Sequence, residues 1–178
     1  VSDAHQVHAV VADIFSRSPV LPFRYSTILV DEAELSALAA ERGAAFLKFL
    51  ERVAGKVQMD VRLTLDPVTA SDKPNASEDA CTPPAGGQGS TGGRAYLEGR
   101  AKRQALLSGA AETCRQTANP AEWRIQQRGE NIRCQALISR IEVLSFLERM
   151  RALKLPYGVK AAVSGPWPPA GFWEDEPR

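Results

Sequence analysis

Apolar residues return every three or four positions at the start of the chain. Val7, Val10, Val11, Ile14 and Phe15 share one face of a helix that Ser2 or Asp3 can cap and that ends near Ser18-Pro19. From Val20 to Val30 the pattern turns aromatic and β-branched. This predicts a strand centred on Phe23 to Leu29, with Pro22 keeping its start at an edge or outside the ladder. Asp31-x-x-Glu34 has the spacing of a capping box, and Leu35, Leu38, Ala39, Phe46, Phe49, Leu50 and Val53 line one stripe before Gly55, so a long helix follows. Val57, Met59, Val61, Leu63 and Leu65 then alternate with Gln58, Asp60, Arg62 and Thr64, the period of a half-buried strand.

Between Asp66 and Gly93 the chain is loaded with Pro, Gly, Ser, Thr and Asp and has no apolar period; the expectation is a flexible surface loop over 66–93. A second long helix is predicted from Arg94 to about Ala118, with Gly99 and Gly109 allowing close approach. Trp123 and Ile125 alternate with polar neighbours, a turn falls at Arg128-Gly129-Glu130-Asn131, and Ile132, Cys134, Ala136 and Ile138 continue on one face, which predicts a hairpin. Ser139-x-x-Glu142 caps a helix carrying Val143, Leu144, Phe146, Leu147 and Met150, closed by Pro156. Tyr157, Val159, Ala161 and Val163 form a last strand, and the prolines of Ser164-Gly165-Pro166-Trp167-Pro168-Pro169 are expected to lead the tail out of the sheet.

The order from Lys56 onward is β-α-β-β-α-β. The fold class expected is therefore α+β: a ferredoxin-like split βαβ module over 55–178, with the loop 66–93 and a Pro/Trp tail, preceded by a helix-strand-helix part over 1–54.

Composition narrows the class. With 44% hydrophobic and 24% charged residues, the chain of 178 residues sits with folded globular proteins. Its net charge of +1, from 22 basic against 21 acidic residues, provides no long-range field to gather nucleic acid or an anionic membrane, so partners must be chosen by local surfaces. Cys81, Cys114 and Cys134 lie far apart with no C-x-x-C pair, which fits a reducing cytoplasm. No apolar run is long enough to cross a bilayer, and the first residues lack the layout of a signal peptide.

Three stretches carry a resemblance. Pro19-Val20-Leu21-Pro22-Phe23-Arg24-Tyr25-Ser26-Thr27-Ile28 follows a histidine-bearing helix (His5, His8); Gly93-Arg94-Ala95-Tyr96-Leu97-Glu98-Gly99-Arg100 opens the second long helix; Ser164-Gly165-Pro166-Trp167-Pro168-Pro169-Ala170-Gly171-Phe172 follows the last strand. Together they resemble the gas vesicle GvpL/GvpF family, the last being the most specific. The resemblance implies two α+β modules, no catalytic activity, no cofactor, and a cytoplasmic or vesicle location in contact with the shell protein or other accessory proteins. It also implies that relatives carry further N-terminal strands, so the first module here is expected to be short, with an exposed edge at Phe23 to Leu29. Ser26 and Ala170-Gly171 depart from the family's pattern, and no role is carried onto them.

Catalytic chemistry finds little support in the residues. His5 and His8 stand at i, i+3 with no third ligand placed beside them. Gly87-x-Gly89-x-x-Gly92 spells a dinucleotide fingerprint, but a Pro-rich loop separates it from the preceding strand. The polar sheet face, with Arg62, Arg124, Arg128, Arg133 and Lys160, lacks the aromatic platforms of RNA-recognition modules. The expected contact residues are Phe23, Arg24 and Tyr25 at the edge, available for strand addition, and Trp167, Pro168, Pro169, Phe172 and Trp173 in a stiff aromatic tail that is either a clasp over its own body or a docking site. The alternatives are a ferredoxin-like dimerising adaptor or ligand-sensing module, and an RNA-binding domain. Metal ligands and cofactors are not expected.

Overall fold

The computed structural model describes residues 2–23, 27–66, 91–129 and 131–173. In chain order the elements are α1 (Ser2–Arg17), α2 (Glu32–Arg52), β1 (Lys56–Leu65), α3 (Thr91–Ala118), β2 (Glu122–Arg128), β3 (Asn131–Ser139), a 3-10 turn (Arg140–Glu142) leading into α4 (Val143–Ala152), β4 (Val159–Trp167) and a final 3-10 turn (Ala170–Phe172). The four strands form one sheet in the order β2-β3-β1-β4, and each neighbouring pair is antiparallel.

Alternation sorts the sheet into two faces. Val57, Met59, Val61 and Leu63 of β1 and Ile132, Cys134, Ala136 and Ile138 of β3 point to one side. There they pack with Leu107, Ala110, Ala111, Cys114 and Ala118 of α3 and with Phe146 and Met150 of α4, so this face holds the main core. The spacing of the α3 residues explains its register: small side chains at 110, 111, 114 and 118 let the helix lie close to the sheet. Asn119 ends α3 in a left-handed conformation (φ 44°), with Pro120 blocking further helix. Ser139 and Glu142 form the reciprocal capping box that the sequence predicts, which gives partners to two amides where the chain turns from β3 toward α4.

Asp31 caps α2 as expected, and only the return bond of the box is displaced by one residue. The Asp31 side chain accepts from the Glu34 amide at 2.9 Å, while Glu34 reaches back to the Val30 amide at 2.6 Å. Along α2 only Phe49 and Val53 are buried; the upper stripe that begins at Leu35 remains open to solvent. Helix α1 is attached mainly at its end, where Phe15 is buried, Arg140 donates to its carbonyl at 2.7 Å, and the Arg140 guanidinium lies 4.5 Å from the ring centre.

Two expectations are corrected. The strand over Phe23 to Leu29 does not form at its described positions: Phe23 and residues 27–29 carry no ladder pairing, and residues 24–26 lie outside the described set. Ladder bonding needs a neighbour, the described residues of this segment pair with neither edge strand, and Pro19 and Pro22 have no amide to donate. The second correction concerns β4, which continues through Pro166 to Trp167. A bulge lies between the pairs Asp60↔Ser164 and Gln58↔Trp167, so the ladder resumes after the proline. Gly165 (φ 125°) makes this possible; a Cβ there would meet the Gln58 carbonyl and Met59 Sδ at 2.9 Å. The loop expected over 66–93 falls almost wholly outside the described residues, apart from Asp66 and the start of α3.

Cys114 and Cys134 are free and buried in the main core. Burial pushes the Cys114 thiol up to about 11 and the Cys134 thiol up to about 12, the latter aided by Cys114 itself. Both should resist alkylation in the folded protein near neutral pH and react once denaturant opens the core, which a mass-resolved labelling time course checks. Because these thiols bind their protons more tightly when folded, their contribution to stability is intact below the ordinary thiol value of 9.0 and is lost as pH rises toward 11 to 12. Chemical denaturation across that window should show the decline.

Candidate protein-contact site: the C-terminal clasp

The second sheet face is polar in sequence, and its cross-strand rows show what it can bind. One row runs Glu122, Leu137, Gln58, Trp167; the next Arg124, Gln135, Asp60, Ser164; the third Gln126, Arg133, Arg62, Ala162. Gln58, Asp60 and Gln135 are nevertheless buried. What covers part of this face is the tail itself, with the end of α2.

After Trp167, Pro168 and Pro169 direct the chain back over the sheet, and the turn Ala170–Phe172 settles on the first two rows. The Gly171 amide donates to Gln58 Oε1 at 3.0 Å. The Gly171 carbonyl accepts from Arg124 at 3.1 Å, and the Phe172 carbonyl accepts from Arg52 at 2.8 Å and from Arg124 at 3.3 Å. These are charge-assisted bonds to main-chain atoms, stronger than neutral ones. Arg52 also pairs with Glu122 at 3.4 Å. Beneath the turn, Gln58 donates to Asp60 at 2.9 Å, Arg133 pairs with the other Asp60 oxygen, and Gln126 donates to Gln135 at 3.3 Å. Gln58, Asp60 and Gln135 therefore each have a partner.

Apolar packing completes the clasp. Phe172 is fully buried with Phe49, Val53 and Leu137 in a second core, and Leu21 and Trp173 pack against it. Arg124 lies 5.1 Å from the Phe172 ring centre. Trp173 meets Phe46 and Phe49 with ring centres 5.2 Å apart in each case, and Arg42 lies 5.6 Å from the indole. At the other end of the tail Trp167 is half-buried, its ring 5.5 Å from that of His8 on α1.

The expected contact residues thus fall into two groups. Pro169 and Phe172 are buried in the body, Trp173 and Pro168 are half-buried on it, and Trp167 bridges sheet and α1. Phe23 is exposed, while Arg24 and Tyr25 lie outside the described residues. Sequence reasoning missed Arg52, Gln58, Gln135 and Gly171, and it placed Arg124 on a solvated face. Among the described residues no three His, Cys, Asp or Glu side chains gather in a way that could hold a metal, and no helix is long and apolar enough to cross a membrane. His5 is exposed and the His8 ring lies tilted against that of Trp167; of the Gly87, Gly89 and Gly92 fingerprint only Gly92 is described, in the first turn of α3.

These features define an α+β protein, a helix-backed antiparallel sheet partly covered on its other face by its own tail. The chain belongs to the family of gas vesicle synthesis proteins GvpL/GvpF, which matches residues 2–174. The fold is similar to the crystal structure of the gas vesicle protein GvpF from Anabaena sp. PCC7120, with a TM-score of 0.65 at 10% identity, covering 95% of this chain and 75% of that one. It is also similar to that of GvpF from Microcystis aeruginosa, with a TM-score of 0.63 at 9% identity, covering 93% and 74%. No curated relative matches the sequence. The protein is thus a gas-vesicle-related one.

The clasp makes a sharp prediction. A Cβ at Gly171 would lie 2.5 Å from Gln135 Nε2 and 2.7 Å from Gln58 Oε1, both on buried, hydrogen-bonded side chains. Gly171→Ala should therefore destabilise the fold by about 1–3 kcal/mol through overpacking. Phe172→Ala, which empties the second core, should lose about 3–5 kcal/mol. Thermal and denaturant melts measure both, with tryptophan fluorescence reporting release of Trp173.

Proposed function

We propose that this protein is an accessory factor of gas vesicle assembly, working in the cytoplasm and at the vesicle by binding the shell protein or other accessory proteins and not by catalysis. The observation that carries the reading, beside family membership, is the apolar surface of the first fifty residues. Val7, Val10 and Ile14 on α1, Ile28 and Val30 in the connection, and Leu47 on α2 are between 44% and 88% exposed. Scattered apolar residues are ordinary on surfaces, but such a concentration in one part of a chain marks a contact region.

Two units divide the work in this reading. Residues 55–178 form a ferredoxin-like split βαβ body, a reading supported by the strand order β2-β3-β1-β4 with every pair antiparallel. Residues 1–54 form a part held to the body through Phe15 and the foot of α2, and this part presents the apolar contact region. Phe23 belongs to that region; Arg24 and Tyr25 are assigned to it by their place in the chain. Trp167, Pro168 and Trp173 form a rim, and Pro169 and Phe172 hold the rim in position from beneath.

A pull-down with the major shell protein tests the reading. The intact chain should retain shell protein, and replacing Val7, Val10 and Ile14 together by Ser should reduce retention about tenfold or more, since each exposed apolar side chain buried at an interface contributes on the order of 1 kcal/mol. No retention by either chain, together with normal vesicles by electron microscopy after deletion of the gene in its host, would sink it.

A further inference from the structure

The two edges of the sheet are guarded differently. On β2 the polar face carries the long side chains of Arg124 and Gln126, Gln127 on the helix side bonds to Gln104 of α3, and Arg124 is tied to the clasp. On β4 the middle of the edge is Ala161-Ala162-Val163-Ser164, with Ala161, Ala162 and Ser164 exposed. A charged residue and a bulge protect only its ends: Lys160, paired with Asp66 at 2.7 Å, and Gly165-Pro166. Among the described residues nothing pairs with β4 on its outer side.

Beside this edge lies a groove of about 500 Å³ lined by Asp60, Arg62, Arg133, Ala162, Ser164 and Trp167. Asp60 and Arg133 pair with each other. Arg62, exposed, has no acidic partner among the described residues, so the groove keeps one positive charge. Arg62 is the direct cross-strand partner of Ala162. A strand added outside β4 would lie roughly 10 Å from β1, two strand spacings away, and the small Ala162 leaves the path above it clear. An arginine and a glutamate can meet across that distance, each extending toward the other over the alanine.

We propose that the β4 edge takes up a short extended segment of another polypeptide, pairing through main-chain hydrogen bonds and placing a carboxylate over Ala162 against Arg62. This deepens the proposed function, since it rests on the reading that the protein works by holding other chains, and it names the chemistry of the segment held. Strand addition supplies affinity and the Arg62 contact supplies selection.

The test uses fluorescence anisotropy on the full chain at low salt with the labelled peptide Thr-Val-Glu-Val-Thr and its Gln and Lys counterparts. The Glu peptide should bind about tenfold more tightly than the Gln peptide, as one charge-assisted hydrogen bond supplies. Arg62→Glu lies on an exposed site and should invert the preference in favour of the Lys peptide. Of two Glu peptides N-methylated on alternate residues, the one whose ladder amide is blocked should lose binding and the other keep it. Equal affinity for the three peptides, no inversion by Arg62→Glu, or equal binding of the two methylated forms would each overturn the proposal. So would tighter binding of a short single-stranded RNA that competes with the Glu peptide, or self-association of the chain that the peptide fails to disrupt. A shell-protein pull-down in parallel separates the two readings: retention without peptide selectivity removes only the edge site, and peptide selectivity without retention removes only the vesicle partner.

Discussion

The structure depends on satisfying a polar sheet face that is nevertheless covered. Central strand β1 alternates, so burying Val57, Met59, Val61 and Leu63 against the helices forces Gln58, Asp60 and Arg62 to the other side. Covering that side with apolar side chains alone would strand Gln58, Asp60 and Gln135 without partners, at about 1–3 kcal/mol for each unsatisfied group. The tail resolves this by presenting main chain where polarity is needed and aromatic rings where it is not. Its amide and two carbonyls meet Gln58, Arg124 and Arg52, while Phe172 and Trp173 fill the apolar space above Leu137 and along α2.

How much of this is legible in the sequence follows from how local each signal is. Period-2 alternation in Val57–Leu65 and Ile132–Ile138, and the capping box at Ser139 and Glu142, depend on near neighbours, so strands, hairpin and α4 emerge close to their observed bounds. Phe23 to Leu29 has the composition of a strand but composition cannot supply a partner, and the described part of that segment stays unpaired. The apolar stripe of α2 is real along its whole length, yet which portion is buried depends on where the tail lands, and its described residues land at Phe46, Phe49 and Val53. Gly171 illustrates the limit most sharply. Its need to be glycine comes from Gln58 and Gln135, far away in the chain, and nothing within its own turn announces them.

The family assignment and the geometry bear on different questions. Membership in GvpL/GvpF rests on the match over residues 2–174 and sets the vesicle context; similarity to two GvpF crystal structures at 9–10% identity speaks to fold alone. Geometry adds that the most distinctive segment, around Gly165-Pro166-Trp167, serves architecture directly. It carries β4 past a proline through a bulge and turns the chain onto the polar face. A motif that looks like a binding signature can thus be a folding one, and contact with other proteins is then sought on surfaces the clasp leaves open.

Asp60 connects those surfaces. One carboxylate oxygen accepts from Gln58, which holds the Gly171 amide, and the other pairs with Arg133, which lines the groove beside β4. The cover over the first two rows and the charge balance in the third therefore share a single buried group. Loss of the clasp would hydrate Asp60 and loosen its hold on Arg133, adding a second mobile guanidinium beside Arg62. The net charge of the groove is the same in either state, but among the described residues Arg62 is its single unpaired guanidinium only while the tail keeps Asp60 buried against Arg133. The part of the sequence that seals the fold thereby also sets the electrostatics of the edge that it leaves exposed.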